Sequence, residues 1–273
     1  MHRDEMIRVL GPIDLLTATG PQSVGSHHKR ALLAALVIAA GHAVSIDQLR
    51  MVLWGDTPPK SADNSIQTYV SRLRHLLGHD TIVRADHTYR LDVSRDQIDA
   101  IRFEDLLASA TDLRSEPVRC QSQCRQALAL WRGEAFGELA DEEPFRLEVM
   151  RLDELRVTTM ELALETELAL GNHQIAVAEL ESAVQEHPYR ERLWHLLIEA
   201  LLRDDRRVEA LRACQNFRNT LADAGLEPGD QLRSLEGRIL RGRPSDPHPH
   251  GDTITRVARR PSGRSTPLGP DEA

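Results

Sequence analysis

The chain has 273 residues, of which 41% are hydrophobic and 28% charged, a composition typical of a globular protein with about two domains. No apolar run reaches the roughly 18 residues that a membrane-spanning helix needs, and the first residues do not resemble a signal peptide. We therefore expect a cytoplasmic, nucleoid-associated protein that does not bind membranes. The net charge of −8 is uneven: residues 1–97 carry +1, residues 98–242 carry −10 and residues 243–273 carry +1.

Cysteine and acidic residues give no sign of a metal, redox or catalytic site. Cys120, Cys124 and Cys214 form neither an even framework nor a metal-binding spacing, so we expect reduced, packed thiols and no cofactor. The acidic run at residues 141–143 has no nucleophile or metal-ligand spacing nearby, which favours a solvated face. We therefore expect that the protein is not an enzyme.

The first element is a short β-rich segment. Residues 6–16 favour strands and are interrupted by Gly11 and Pro12, which predicts a small N-terminal sheet. Residues 20–25 are rich in turn formers, so a turn is predicted there.

Two helices are predicted next. Residues 29–40 have helical periodicity and stop at Gly41, a residue suited to a helix C-terminus. Ser45 and Gln48 have the spacing of a capping box, which predicts a second helix that runs through Leu53.

A loop and a third helix follow. Residues 54–60 (WGDTPPK) contain too much Pro and Gly for a helix, so they predict a loop. Residues 60–78 (KSADNSIQTYVSRLRHLLG) then form an amphipathic pattern, with Ser61 as the predicted N-cap and Gly78 at the end. At about 100° per residue one face is apolar, whereas the other is short, polar and cationic.

The polar face of this third helix has side chains of the kinds that contact DNA bases. Small Ser and Thr side chains allow a helix to enter a groove deeply, and Asn and Arg make bidentate contacts with base edges. The predicted base-contacting residues are Asn64, Thr68, Ser71, Arg72 and His75. Arg72 is the main candidate for specificity, since Arg paired with guanine is worth about 1–3 kcal/mol of discrimination. An ordinary surface helix would explain the same pattern in isolation.

A β-hairpin is predicted after the third helix. Residues 81–84 and 88–93 are β-prone and are joined by residues 85–87. Three helices followed by a hairpin is the order of a winged helix-turn-helix, whose wing lies beside the recognition helix. The predicted backbone-contacting residues are Arg74, Arg84 and Arg90, with His87 at the tip of the wing.

Helical periodicity dominates from residue 98 to about residue 240. Within it, Leu168, Gly171, Ala176 and Val177 recur 34 positions later as Leu202, Asp205, Ala210 and Leu211. This is the period of tetratricopeptide helix pairs, and Pro188 stands where one pair gives way to the next. We interpret residues 119–139 as helices of a degenerate capping repeat; an unrelated helical bundle is the alternative.

The sequence thus predicts a mainly α protein in three parts. Residues 1–97 form an α+β winged helix-turn-helix, and residues 98–241 form an all-α tetratricopeptide-like domain. Residues 242–273 are rich in Pro, Gly, Ser and Arg and poor in apolar residues, so we expect a disordered tail. His248 and His250 in that tail are expected to be solvated rather than metal-bound.

Two sets of motifs resemble one known family. In the first domain they are KRALL at 29–33, LWG at 53–55, QTYVSRLR at 67–74 and YRLD at 89–92; in the second they are LWRG at 130–133, HP at 187–188, ERLW at 191–194 and GLEPG at 225–229. Over residues 6–241 the chain resembles the Streptomyces antibiotic regulatory protein family, in which an OmpR-like winged helix precedes a bacterial transcriptional activation domain. Two departures are Thr88, where a Gly is usual, and the Arg203-Asp204-Asp205 turn.

The resemblance implies a transcriptional activator of an antibiotic biosynthetic cluster. Such a protein would bind double-stranded DNA at direct repeats near promoters and recruit RNA polymerase. Because the first domain is nearly neutral, we expect a homodimer or cooperative copies side by side on the DNA. Within the loop at 54–60, Trp54, Asp56 and Lys60 would touch polymerase, although Trp54 could equally pack in the core. The alternative function is a protein-interaction adaptor that does not bind DNA.

Overall fold

The computed structural model describes residues 5–227 and 229–241. The strands are β1 (Met6–Arg8), β2 (Asp14–Thr17), β3 (Gly20–Ser23), β4 (Val44–Ser45), β5 (Ile82–Ala85) and β6 (Thr88–Leu91). The helices are α1 (His27–Ile38), α2 (Ile46–Trp54), α3 (Ala62–Leu77), α4 (Asp99–Asp112), α5 (Pro117–Leu128), α6 (Glu143–Ala169), α7 (His173–Glu186), α8 (Glu191–Arg203), α9 (Arg207–Asp223) and α10 (Asp230–Arg241). The tail predicted over residues 242–273, with His248 and His250, lies outside the described residues. In the part described, no helix has both the length and the apolar character that a membrane crossing requires.

The predicted N-terminal sheet is present, and it has one more strand than expected. Strands β1, β2 and β3 form an antiparallel meander in which Ile7 pairs with Leu15 and Leu15 with Gln22. The turn predicted over residues 20–25 was therefore wrong for its first four positions. Pro21 is tolerated because β3 is an edge strand, where a missing N–H breaks no ladder between two neighbours.

The winged helix-turn-helix is confirmed. Helices α1, α2 and α3 pack together, and β5 and β6 form the predicted hairpin. The capping box begins α2, since the Gln48 N–H donates to Ser45 Oγ at 3.1 Å and the Ser45 N–H donates to Gln48 Oε1 at 2.9 Å. The two-residue strand β4 was not foreseen; it pairs with β6, where Val44 faces Tyr89.

The tetratricopeptide-like repeat is also visible in the backbone. Gly171 ends the turn after α6 with φ 83°, and Asp205 has φ 58° in the equivalent turn after α8. Ala176 and Ala210, which also correspond, are both fully buried at the start of the following helix. The loop that contains Pro188 separates α7 from α8, as predicted.

The helices predicted over residues 119–139 are only partly correct. Helix α5 ends at Leu128, and residues 129–142 are irregular apart from a short 3-10 turn at Gly137–Leu139. This segment is irregular because its backbone bonds to the N-terminal sheet: the Arg132 N–H donates to Leu10 O at 2.8 Å, and the Phe136 N–H donates to Val9 O at 2.6 Å.

One hydrophobic core crosses the predicted boundary at residues 97 and 98. It joins Ile7 and Leu10 of the N-terminal region to Phe103, Phe136 and Phe145 of the helical region, all of them 0–1% exposed. A second core lies among the C-terminal part of α6 and helices α7, α8, α9 and α10. The winged helix and the first part of the helical region are therefore packed against each other, while the division into 1–97 and 98–241 stays a prediction.

Candidate nucleic-acid interface

Helix α3 presents the predicted polar face to solvent. Ile66, Val70, Leu73 and Leu77 are at most 2% exposed and pack into the core of the winged helix. The five predicted base-contacting residues, Asn64, Thr68, Ser71, Arg72 and His75, are all exposed. The Thr68 hydroxyl donates to the Asn64 carbonyl at 2.8 Å, one turn earlier in the same helix. Their contacts with bases stay predictions.

An ion pair holds α3 against α2. Arg50 Nε donates to Asp63 Oδ1 at 2.7 Å, and this hydrogen bond raises the pKa of Arg50. Asp63 lies in the first turn of α3, where a carboxylate interacts favourably with the helix dipole. Ser61 precedes α3 as predicted, but its side chain makes no capping bond, so Asp63 stabilises this end of the helix instead.

Arg74 connects α3 to the wing. Its Nε donates to the Ile82 carbonyl of β5 at 2.8 Å, and the side chain is half-buried. The guanidinium therefore fixes the position of the hairpin relative to α3. Because Arg carries five N–H donors, its predicted phosphate contact is compatible with this bond and stays a prediction.

The turn of the wing forms without the glycine that is usual at position 88 in the family that the sequence resembles. Asp86 supplies the left-handed backbone with φ 49°, a conformation that Asp tolerates better than most residues. The Thr88 hydroxyl donates to the Ala85 carbonyl at 2.8 Å and closes the turn. Thr88 is thus accommodated without a glycine.

The three predicted wing residues are all on the surface. Arg84 lies with its guanidinium carbon 5.8 Å from the centre of the Tyr89 ring and has no carboxylate partner among the described residues. Arg90 lies 3.6 Å from Asp92, which neutralises part of its charge. His87 is exposed in the turn. Arg84 is therefore the stronger candidate for a phosphate contact.

Gln67 belongs to the same surface and was missed. It is exposed, and it lies about 40° around the helix from Ser71, four residues later. Its amide can make the bidentate contact with adenine that Gln and Asn favour. Its spacing of four residues from Ser71 could have placed it on this face from the sequence alone.

The loop between α2 and α3 has a packed start and an exposed remainder. Trp54 is half-buried against the winged-helix core, and its ring lies 5.7 Å from the ring of His28. Asp56 and Lys60 are exposed. Trp54 thus has the structural role expected of a core residue, whereas polymerase contact by this loop stays a prediction.

Metal-ligand groups and thiols add no further site. Among the described residues, no group of three or more His, Cys, Asp or Glu side chains is arranged to hold a metal ion. Cys120, Cys124 and Cys214 are free and buried. Burial raises the pKa of Cys124 to about 12, so this thiol is protonated and unreactive near neutral pH.

Two family models match the chain in the order of these structural units. Residues 23–89 match "Transcriptional regulatory protein, C terminal", and residues 98–240 match "Bacterial transcriptional activator domain". The solved structure of Mycobacterium tuberculosis EmbR in complex with a low-affinity phosphopeptide has a TM-score of 0.83 and 34% identity, and the match covers 90% of this chain and 67% of that one.

Curated relatives identify the same family as the two family models. AfsR of Streptomyces griseus is 38% identical over 87% of this chain, and EmbR of M. tuberculosis is 36% identical over the same share. The chain spans 25% of that AfsR and 64% of EmbR. DnrI of Streptomyces peucetius is 34% identical over 79% of this chain and 84% of its own length. The chain belongs to the Streptomyces antibiotic regulatory protein family of transcriptional regulators.

Proposed function

We propose that this regulator is a sequence-specific activator of an antibiotic or other secondary-metabolite gene cluster. It binds direct repeats near promoters through α3 and the wing, and it recruits RNA polymerase. The observation that carries the proposal is the placement of cations without a carboxylate partner in the winged helix.

Half of the cations in this region are neutralised internally. Among the Arg and Lys side chains of residues 5–97, those with a carboxylate within 4.0 Å are Arg8, Arg30, Arg50, Arg90 and Arg95. Those without one are Lys29, Lys60, Arg72, Arg74 and Arg84. The second group lies on α3, beside it or on the wing. A nearly neutral domain thus presents its uncompensated positive charge on the face that is proposed to meet DNA.

The charge of the helical region supports cooperative binding. Residues 98–242 carry −10, so DNA repels them and they contribute through protein contacts. One copy with few free cations should bind weakly. Two copies on direct repeats, about one helical turn apart, would lie on the same face of the duplex and contact each other.

The loop after α2 is the proposed contact with polymerase. Asp56 and Lys60 are exposed beside α3, and Pro58 and Pro59 limit the conformations of the loop between them. A charged, stiff loop held next to DNA is suited to meeting a protein bound at the neighbouring promoter.

Footprinting and operator spacing test the proposal together. Footprinting of the full chain upstream of neighbouring biosynthetic genes should show two protected repeats filled cooperatively. Inserting about five base pairs between them places the second copy on the opposite face and should abolish activation. Activation that survives this insertion, or independent filling of the two sites, would contradict the mechanism.

A protein-interaction adaptor is the second candidate. An open cleft of about 330 Å³ between α7, α8 and α9, lined by Trp194, Leu197 and Arg212 among others, could hold a peptide. The nearly neutral winged helix also favours this function. An Arg72→Ala variant that binds promoter DNA as well as the wild type would support the adaptor.

A further inference from the structure

An open cleft of about 440 Å³ lies beside α3, between its C-terminal half and the first turn of α1. Its lining side chains are Lys29, Ser71, Arg72, His75, Leu76 and His79. Ser71, Arg72 and His75 also belong to the predicted base-contacting face, whereas Lys29 and His79 have not been assigned a specific DNA contact. The cleft is thus continuous with the surface proposed to meet DNA.

The cleft is on the opposite flank of α3 from the wing. Arg74 marks the wing side, because it bonds to Ile82 of β5. Arg72 and Leu76, which line the cleft, project about 160° away from Arg74 around the helix axis. The exposed face that contains Ser71 and His75 lies between the two flanks. The wing and the cleft therefore bracket the predicted reading face.

The charge in the cleft is not neutralised. Neither Lys29 nor Arg72 has a carboxylate within 4.0 Å in the described ranges, and His75 and His79 are exposed. Lys29 stands in the first turn of α1, a turn without acidic residues. A cation there opposes the helix dipole, so Lys29 does not contribute to the stability of α1. The cleft is therefore suited to an anion.

We propose that this cleft binds a phosphodiester group of the DNA backbone, with Lys29 and His79 as its contacts. A helix in the major groove, which is about 12 Å wide, has one sugar-phosphate backbone on each side. The wing, through Arg84, meets the backbone on one side, and the cleft meets the backbone on the other. This inference rests on the proposed reading of DNA by α3 and adds the second anchor of that helix.

The test compares salt dependence for the full-length wild type, Lys29→Gln, Arg84→Gln and Arg102→Gln. Arg102 is the matched control, because it is exposed on α4 and has no carboxylate partner among the described residues. Dissociation constants are measured with the footprinted operator and with a random duplex over a range of salt concentrations. Lys29→Gln should weaken binding to both duplexes and reduce the slope of log K against log salt by about one, and Arg102→Gln should change neither.

Phosphate ethylation interference locates the contact. Lys29→Gln should lose interference at phosphates of one strand and Arg84→Gln at phosphates of the other, on opposite sides of the same major groove. If Lys29→Gln lowers the melting temperature, His79→Gln provides the ethylation test from the other side of the cleft. A normal slope and an unchanged ethylation pattern in the cleft variants would overturn the inference.

Three further outcomes separate the hypotheses. If the cleft variants behave as wild type while Arg72→Ala and Arg84→Gln impair binding, the cleft assignment fails and the proposed function stands. If the wild type binds no DNA, both fail. Inorganic phosphate that stabilises the DNA-free wild type but not Lys29→Gln, with DNA slopes unchanged, would show a small-anion site and overturn the backbone assignment.

Discussion

Asp99 accepts the backbone N–H of Val9 at 2.8 Å, although the two residues are ninety positions apart in the chain. The second carboxylate oxygen accepts the Leu10 N–H at 3.1 Å, and the side chain is 1% exposed. The first turn of α4 thus satisfies two donors at the end of β1 that would otherwise be buried without partners. This carboxylate joins the winged helix to the helical region.

Replacing this carboxylate should destabilise the whole chain. In Asp99→Asn the amide keeps one acceptor, but its NH2 group faces a backbone N–H, so one buried donor loses its partner. We expect a loss of about 1–3 kcal/mol in the free energy of unfolding. Urea denaturation measures this free energy. The control is Asp105→Asn: Asp105 lies on α4 like Asp99 but pairs with Arg95 at the surface, so its replacement should change the free energy of unfolding by no more than about 0.5 kcal/mol. Equal stability of the two variants would contradict this role.

Asp99 should also make stability depend on pH. Burial raises the pKa of Asp99 to about 6 from 3.8, despite its hydrogen bonds with Val9 and Leu10. The folded state therefore holds the proton more tightly, so the contribution is fully present below about pH 4 and is lost as the pH rises through 6. Between pH 4 and pH 6 the free energy of unfolding of the wild type should therefore fall relative to that of Asp99→Asn. A difference that does not change with pH would contradict the shift.

Substitutions on α3 should change sequence preference, whereas substitutions on the wing should change overall DNA affinity. Arg72→Ala should relax sequence preference by about 1–3 kcal/mol, because its proposed contact is with a base edge. Arg84→Ala should weaken all sequences alike and reduce the salt slope by about one, and Arg90→Ala should do so less because Asp92 neutralises part of its charge. Competition binding with specific and random duplexes measures both effects. Equal losses on every sequence for all three variants would refute the assignment.

The turn at Gly171, between α6 and α7, should tolerate Asn better than Ala. Gly171 has φ 83° and no neighbouring atom within 4 Å of an added Cβ, so substitution there tests backbone strain without a clash. Gly171→Ala should cost about 1 kcal/mol. Gly171→Asn should cost less, because Asn and Asp visit this conformation more readily, as Asp205 does in the equivalent turn. Thermal unfolding should rank Gly above Asn and Asn above Ala.

A chain cut after Asp96 should fail to fold rather than bind DNA as an isolated module. It lacks Asp99, and it exposes Ile7, Val9 and Leu10, which are fully buried in the intact protein. Circular dichroism and a urea titration of this fragment should show no cooperative transition. A stable fragment with a sharp transition would show that the shared core is dispensable.

Local periodicity was enough to predict much of the fold. The two faces of α3, the capping box at Ser45 and the 34-residue repeat all depend on spacings within one or two elements. The exposed positions of Asn64 and Arg72 followed from the same periodicity. Their chemical roles do not follow from it, since exposure alone does not identify what a side chain contacts.

Interactions between segments that are distant in the chain could not be predicted from local spacing. Strand β3 contains Gly20 and Pro21, which favour turns, and it exists because β2 offers it a partner. Within the irregular segment 129–142, the N–H groups of Arg132 and Phe136 bond to the carbonyls of Leu10 and Val9 instead of continuing a helix. The bond from Arg74 to the wing and the burial of Asp99 likewise depend on chain segments brought together only by folding.

The shared core has a geometric consequence on DNA. Because Asp99 and the segment that contains Phe136 hold Val9 and Leu10, directly after β1, the winged helix is packed against the start of the helical region. If α3 enters the major groove as proposed, this packing would also orient the helical region relative to the duplex. Each added base pair turns a neighbouring site by about 35°, so contact between two copies bound as proposed would depend on the angle between their sites as well as on the distance. Promoters served by this regulator should therefore differ little in the number of base pairs between repeats, even where the repeats themselves diverge in sequence.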